Sequence, residues 1–213
     1  MNFMDTDSSF PGIGSPGENG AFDPFRDFFR TQDAKPAHLD LVNLRTLTPF
    51  QRALLAIDGT VTKFIEAYTL EPIEIVRLKQ ETQALPTDNV WLKIPKETEI
   101  IARQVLLRGQ YSSTLYAYAV SLLVPERLPT DLLRDLKVEP AGLGRVLLNS
   151  QIENRRDILW YGREYIDNLP ENIQRLTGND FISRTYRIIA AGKPVMLINE
   201  RFPTRQSSNP TIE

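Results

Sequence analysis

The sequence predicts an α+β domain, in which an antiparallel sheet of about six strands carries helices packed on one side. Three observations lead there. Segments with strand-like alternation lie next to one another as hairpins, whereas a parallel sheet needs a crossover between strands. The segment Glu99 to Leu107 has no polar face, so its strand should be covered on both sides. A length of 213 residues, 41% hydrophobic and 24% charged, suits one ordinary domain with tails.

Residues 1–40 hold Gly12, Gly14, Gly17 and Gly20 with Pro11, Pro16, Pro24 and Pro36, and read as a disordered extension. Six of the ten phenylalanines lie before Thr31, and Phe22, Phe25, Phe28 and Phe29 fall at helical spacing. A short amphipathic turn that folds back on its own domain is expected, with docking to a partner or a membrane surface as the alternative. The folded domain should span 41–204, followed by a flexible tail over 205–213.

Within the domain, Thr48 caps a helix that has Pro49 at its first position and breaks at Asp58-Gly59. A second helix runs from Thr60 to Ala67. Pro72 to Leu78 alternates as a strand, continuing towards Gln83, before a turn at Pro86-Thr87-Asp88-Asn89. Glu99–Leu107 and Ser112–Leu123 form an antiparallel hairpin. Pro129 to Leu136 is a short helix. Next come a bend at Ala141-Gly142-Leu143-Gly144-Arg145, a strand Val146–Ser150 and a helix from about Arg155 to Tyr165. Gly178-Asn179-Asp180 then turns into a last hairpin, Phe181–Ala190 and Val195–Phe202, joined through Ala191-Gly192-Lys193-Pro194.

Composition excludes several classes. A net charge of -2 supplies no field to attract nucleic acid. The absence of cysteine removes disulfides, thiolate nucleophiles and Cys-ligated metals. The single His38 sits in a Pro-flanked surface loop, a poor place for a base or ligand. No apolar run reaches the ~18 residues of a membrane span, and the acidic N-terminus resembles no targeting peptide, so a cytoplasmic monomer is expected. The P-loop, dinucleotide, nucleophile-elbow and H-E-x-x-H signatures are all missing.

One constellation remains. β-Alternation puts Arg103 in a row with Ile101, Val105 and Leu107, and Glu200 in a row with Met196 and Ile198. Charges there are costly to bury without partners. Either the two pair with each other as a structural salt bridge, or both face a cavity that holds a small polar ligand. An Arg fork grips a planar carboxylate, and a carboxylate accepts from a hydroxyl, so that ligand would be a small ring with an acid at one end and a hydroxyl at the other. The small residues Ala117, Ala119 and Ser121 would leave it room, although close helix packing accounts for them equally well.

The chain from about Pro49 to Pro203 resembles the chorismate lyase (chorismate pyruvate-lyase) family, particularly the form of cyanobacteria and algal plastids. The resemblance is carried by Asp58-Gly59-Thr60-Val61-Thr62-Lys63, Arg103-Gln104-Val105-Leu106-Leu107, Gly142-Leu143-Gly144-Arg145, Gly192-Lys193-Pro194 and Glu200-Arg201-Phe202-Pro203, in that order. It implies the chorismate lyase fold and conversion of chorismate to 4-hydroxybenzoate and pyruvate without metal or cofactor, early in plastoquinone synthesis. It also implies that Arg103 holds the ring carboxylate and Glu200 the 4-hydroxyl, with Val61, Leu143, Gly144 and Arg145 around the substrate. A second family arginine has no counterpart, because Tyr116, Ala117 and Tyr118 occupy its region. Arg145 and Arg184 are the stand-ins to examine. A non-catalytic ligand sensor of the same fold is the alternative, and a scaffold that docks partners through the Phe-rich segment is an added role to test.

Overall fold

The computed structural model describes residues 24, 25, 28, 29, 31–138, 153–167, 169 and 171–205. Its strands are β1 (Ile73–Ala84), β2 (Glu99–Gly109), β3 (Leu115–Leu123), β4 (Asn154–Tyr165), β5 (Asp180–Ala190) and β6 (Lys193–Pro203). They form one sheet in the order β1-β2-β3-β6-β5-β4, antiparallel at every pairing. The helices are α1 (Pro49–Ala56), α2 (Val61–Thr69), α3 (Thr130–Val138) and α4 (Glu171–Thr177). The α+β architecture is therefore the expected one.

Local chemistry explains the elements that lead to the site. Helix α1 starts with a capping box: Gln51 N–H donates to Thr48 Oγ1 at 3.2 Å, and Thr48 N–H donates to Gln51 Oε1 at 2.9 Å. Leu54 and Leu55 of α1, Ile65 of α2, and Leu132 and Leu136 of α3 join Leu107, Ile188, Met196 and Ile198 of the sheet in the main core. These three helices cover one face. The opposite face is closed where β2 needs it, with Ile100 packed by Leu85, Leu92 and Ile94, and Leu106 packed by Leu169 and by Ile173 of α4. The β5–β6 turn takes positive φ at both Ala191 and Gly192, the geometry that matches the twist of a two-residue hairpin.

Three expectations change. The segment Arg155 to Tyr165 is not a helix but most of β4, paired along its length with β5. A β-bulge between Ile158 and Trp160 shifts the register, so alternation breaks and the apolar residues fall at spacings that imitate a helix. Helix α4, absent from the sequence reading, closes the far face. The segment Thr31 to Asp40, read as loose extension, runs along the outer edge of β4. Thr31 Oγ1 donates to Leu159 O at 2.9 Å, Gln32 bonds Tyr161 O and N at 2.9 and 3.0 Å, and Asp40 and Arg163 exchange backbone bonds. This strap pairs an edge that would otherwise be open. Phe25 and Phe29 are buried against Tyr161, folded back onto the domain. The expected strand Val146–Ser150 lies outside the described residues.

Candidate active site

A cavity lies between the sheet and the start of α2, with about 580 Å³ of space between atoms, including its mouth. Arg103 and Val105 line it from β2, Ala119 and Ser121 from β3, Ile198 and Glu200 from β6, Tyr186 and Ile188 from β5 and Arg156 from β4; Gly59, Thr60, Val61 and Thr62 form the helical side. The register explains the grouping. Arg103 pairs across with Ser121, Ser121 with Ile198, and Ala119 with Glu200, so the two small β3 side chains form the floor between guanidinium and carboxylate.

Both charged residues predicted from alternation point inward: Arg103 is 2% exposed and Glu200 8%. The salt bridge of Glu200 is made with Arg184, whose Nε donates to Oε2 at 2.9 Å. Tyr186 OH donates to the other oxygen, Oε1, at 3.1 Å. Arg184 is fully buried directly opposite Glu200 in the β5–β6 pairing. Its Nη1 also donates to Leu55 O at 3.2 Å and Ile57 O at 2.5 Å, carbonyls left over at the end of α1. One guanidinium thus ties the acid to the loop that leads into Gly59 and Thr60.

Burial, and after it the nearby Arg77 charge, depresses the Arg103 pKa to about 10. At neutral pH the group remains a cation, held where the protein supplies less stabilisation than water. Burial and then the Glu200 charge push the Tyr186 hydroxyl far above its ordinary value, against the opposing Arg184 and Arg156 charges. Tyr186 is therefore a fixed donor to Glu200 rather than an acid. Among the described residues, no group of three or more His, Asp or Glu side chains could hold a metal ion.

Of the residues assigned from the sequence, Arg103, Glu200 and Val61 meet at this cavity. Val61, at the first position of α2, is buried in its wall. Leu143, Gly144 and Arg145 lie outside the described residues. Arg184, one stand-in for the missing second arginine, is committed to Glu200 and the α1 carbonyls. Arg156 faces the cavity instead, and sequence reasoning missed it because β4 was read as helix. Tyr186 and Arg184 were legible, since alternation along β5 places both on the Ile188 face.

The chain matches the family model described as Chorismate pyruvate-lyase Rv2949c-like over residues 55–208. It is 29% identical over 163 residues to a chorismate pyruvate-lyase of Mycobacterium leprae (strain TN), covering 75% of this chain and 76% of that protein. A chorismate pyruvate-lyase of Mycobacterium tuberculosis (strain ATCC 25618 / H37Rv) is 24% identical over 178 residues, covering 75% and 82%. Among solved structures, PhnF from Mycobacterium smegmatis superposes with a TM-score of 0.51 at 11% identity, over 68% of this chain and 64% of that chain. The PhnF effector domain alone gives 0.51 at 11%, over 68% and 88%. At these identities the structural likeness speaks for the fold only.

Proposed function

The chain belongs to the Rv2949c-like chorismate pyruvate-lyase family, and from that membership together with the cavity we propose that it converts chorismate to 4-hydroxybenzoate and pyruvate. The observation that carries this reading is a cavity with a buried guanidinium and a buried carboxylate on either side of a small-residue floor. A ring with a carboxylate at one end and a hydroxyl at the other matches those two groups.

In the reaction the C3–O bond to the enolpyruvyl group breaks and the hydrogen on C4 leaves. The ring becomes aromatic, and the departing group takes up a hydrogen to become pyruvate. Arg103 holds the ring carboxylate by a bidentate, charge-assisted contact. Glu200 accepts from the 4-hydroxyl, and Arg184 and Tyr186 fix its two oxygens so that no reorientation is needed as charge shifts. Arg156, at the β4 side of the cavity, meets the carboxylate of the enolpyruvyl group. Val61 presents the first turn of α2 to the ring, and the family resemblance assigns substrate contact to Leu143, Gly144 and Arg145. Aromatisation supplies the driving force, and the protein contributes orientation and exclusion of water. The same resemblance supports a role in supplying the ring of a quinone such as plastoquinone.

The test is ultraviolet monitoring of chorismate with the purified chain. The chorismate band should give way to that of 4-hydroxybenzoate, with one pyruvate released per chorismate consumed. Tight binding of chorismate without turnover would favour a sensor instead.

A further inference from the structure

We propose that the opposite face of the sheet carries a second small-molecule site, behind the Arg103–Glu200 cavity, that takes a small aromatic acid bearing a ring hydroxyl or amine.

A cavity with about 600 Å³ of space between atoms, mouth included, lies under the strap formed by Pro36, His38 and Leu39. It shares four strands, β3, β4, β5 and β6, with the first cavity and uses their other residues. Val120 and Leu122 of β3 line it, as do Leu197, Asn199 and Arg201 of β6 and Thr185 of β5. Val120 pairs across with Asn199, and Asn199 with Thr185, so these side chains form one continuous row. An ordinary sheet face under a strap would be apolar throughout. This one places polar groups in the middle of an apolar wall made by Leu39, Leu122, Leu197 and Trp160.

Those polar groups are incompletely used. Asn199 Nδ2 donates to Thr185 Oγ1 at 3.0 Å, while Asn199 Oδ1 is buried with no hydrogen-bond partner. A buried acceptor is unfavourable without a donor, and the described residues supply none to Asn199 Oδ1, which leaves it open to a donor on a guest. Arg201 gives only its Nε to Glu164, at 2.9 Å, and lies over the Tyr118 ring at 5.4 Å. The two terminal nitrogens of its fork make no hydrogen bond to a described residue, and the residue lines the cavity. Glu164, itself in the cavity wall, holds the guanidinium through Nε and balances its charge. A guest with an acceptor for the fork, a donor for Asn199 and a flat apolar body against Leu122, Leu197 and Trp160 satisfies every group at once. A carboxylate is the strongest partner for the fork. The site stands apart from the lyase reading, which serves only to suggest a convenient probe.

Trp91 and Trp160, the two tryptophans of the chain, both lie on this face, 4.8 Å apart. Indole fluorescence excited at its red edge therefore reports on this cavity and not on the other. Titration of the full chain with 4-hydroxybenzoate should give a saturable change. Arg201→Met or Asn199→Leu should weaken it tenfold or more, and Arg103→Met should leave it within twofold. Benzoate, which lacks the donor, and 4-hydroxybenzyl alcohol, which lacks the acid, should each bind at least tenfold more weakly. If Arg201→Met fails to fold, as judged by circular dichroism, Val120→Phe fills the cavity and should abolish the signal. No saturable change in the wild type, or a signal lost with Arg103→Met and kept with Arg201→Met, overturns the proposal.

Discussion

Arg184 and Glu200 face each other across β5 and β6 with Nε 2.9 Å from Oε2, Arg184 fully buried and Glu200 8% exposed at the cavity wall. The acid that reads in the sequence as a partner for Arg103 has its own buried counter-ion. Arg103 lines the cavity beside that pair.

Removing one half of such a pair strands the other. Arg184→Met should cost about 3–5 kcal/mol of stability, because Glu200 loses its counter-ion and the α1 carbonyls lose a donor. Adding Glu200→Met to that variant should recover part of the loss, giving a coupling well above the ~0.5 kcal/mol of independent sites. Urea denaturation of the two single variants and the double variant measures it. A purely additive result would mean that the pair contributes no coupling.

Arg103 should behave in the opposite way. Folding depresses its pKa, so the unfolded chain holds the proton more tightly and stability from this group rises with pH only as pH passes above about 10. Below that, the buried cation costs stability in the empty protein. Arg103→Met should keep the folded state at pH 7, while chorismate turnover falls by a hundredfold or more, equivalent to about 3–5 kcal/mol of lost ligand pairing. Thermal melts and pyruvate release, run on the same preparations, check both halves.

Much of this was legible in the sequence, for a plain reason. Period-two alternation is reliable where a strand is regular, and β2, β5 and β6 are regular over Arg103, Arg184 and Glu200. It fails at β4, where the bulge at Leu159 moves Trp160 to the far face and hides both the strand and Arg156. The partner of Glu200 was also hidden. The hairpin makes β5 and β6 neighbours, but alternation gives a side chain's face and not its partner, and the two-residue turn with the bulge between Ile188 and Ile189 sets the register that puts Arg184 opposite Glu200. That the strap from Thr31 is held in place escaped for the same reason: its anchors, Leu159, Tyr161 and Arg163, lie more than 120 residues away along the chain.

The β2–β3 turn gives a pH prediction. Burial alone would raise the Glu71 pKa, but hydrogen bonds from Ser112 N–H and Oγ–H, Tyr116 OH and Tyr111 N–H outweigh it and leave the pKa lowered. A carboxylate depressed on folding adds stability above its unfolded pKa and loses it as pH falls through the folded value. Glu71→Gln should therefore be less stable than the wild type by roughly 1–2 kcal/mol at pH 7. The gap should shrink as pH drops below about 4. Denaturant midpoints of both proteins across that range decide it; a gap that stays constant would mean that the ionised form has no part in holding the turn.

The small residues of β3 separate packing from binding. Ala117 is fully buried in the main core beneath the helices, whereas Ala119, two residues on and on the same face, lines the cavity. The two alanines are equivalent in sequence, yet enlarging them should have opposite effects. Ala117→Val forces an extra pair of methyl groups into filled space and should cost about 1–3 kcal/mol, with turnover of the folded fraction retained. Ala119→Leu extends into empty space beside Arg103 and Glu200, so stability should hold or rise as apolar surface fills the gap. Turnover should nevertheless disappear, because the added side chain takes the position of the ring. Melting temperatures paired with pyruvate release from both variants distinguish the two roles. If Ala119→Leu is stable and still active, the substrate does not sit on this floor, and the assignments of Arg103 and Glu200 fall with it.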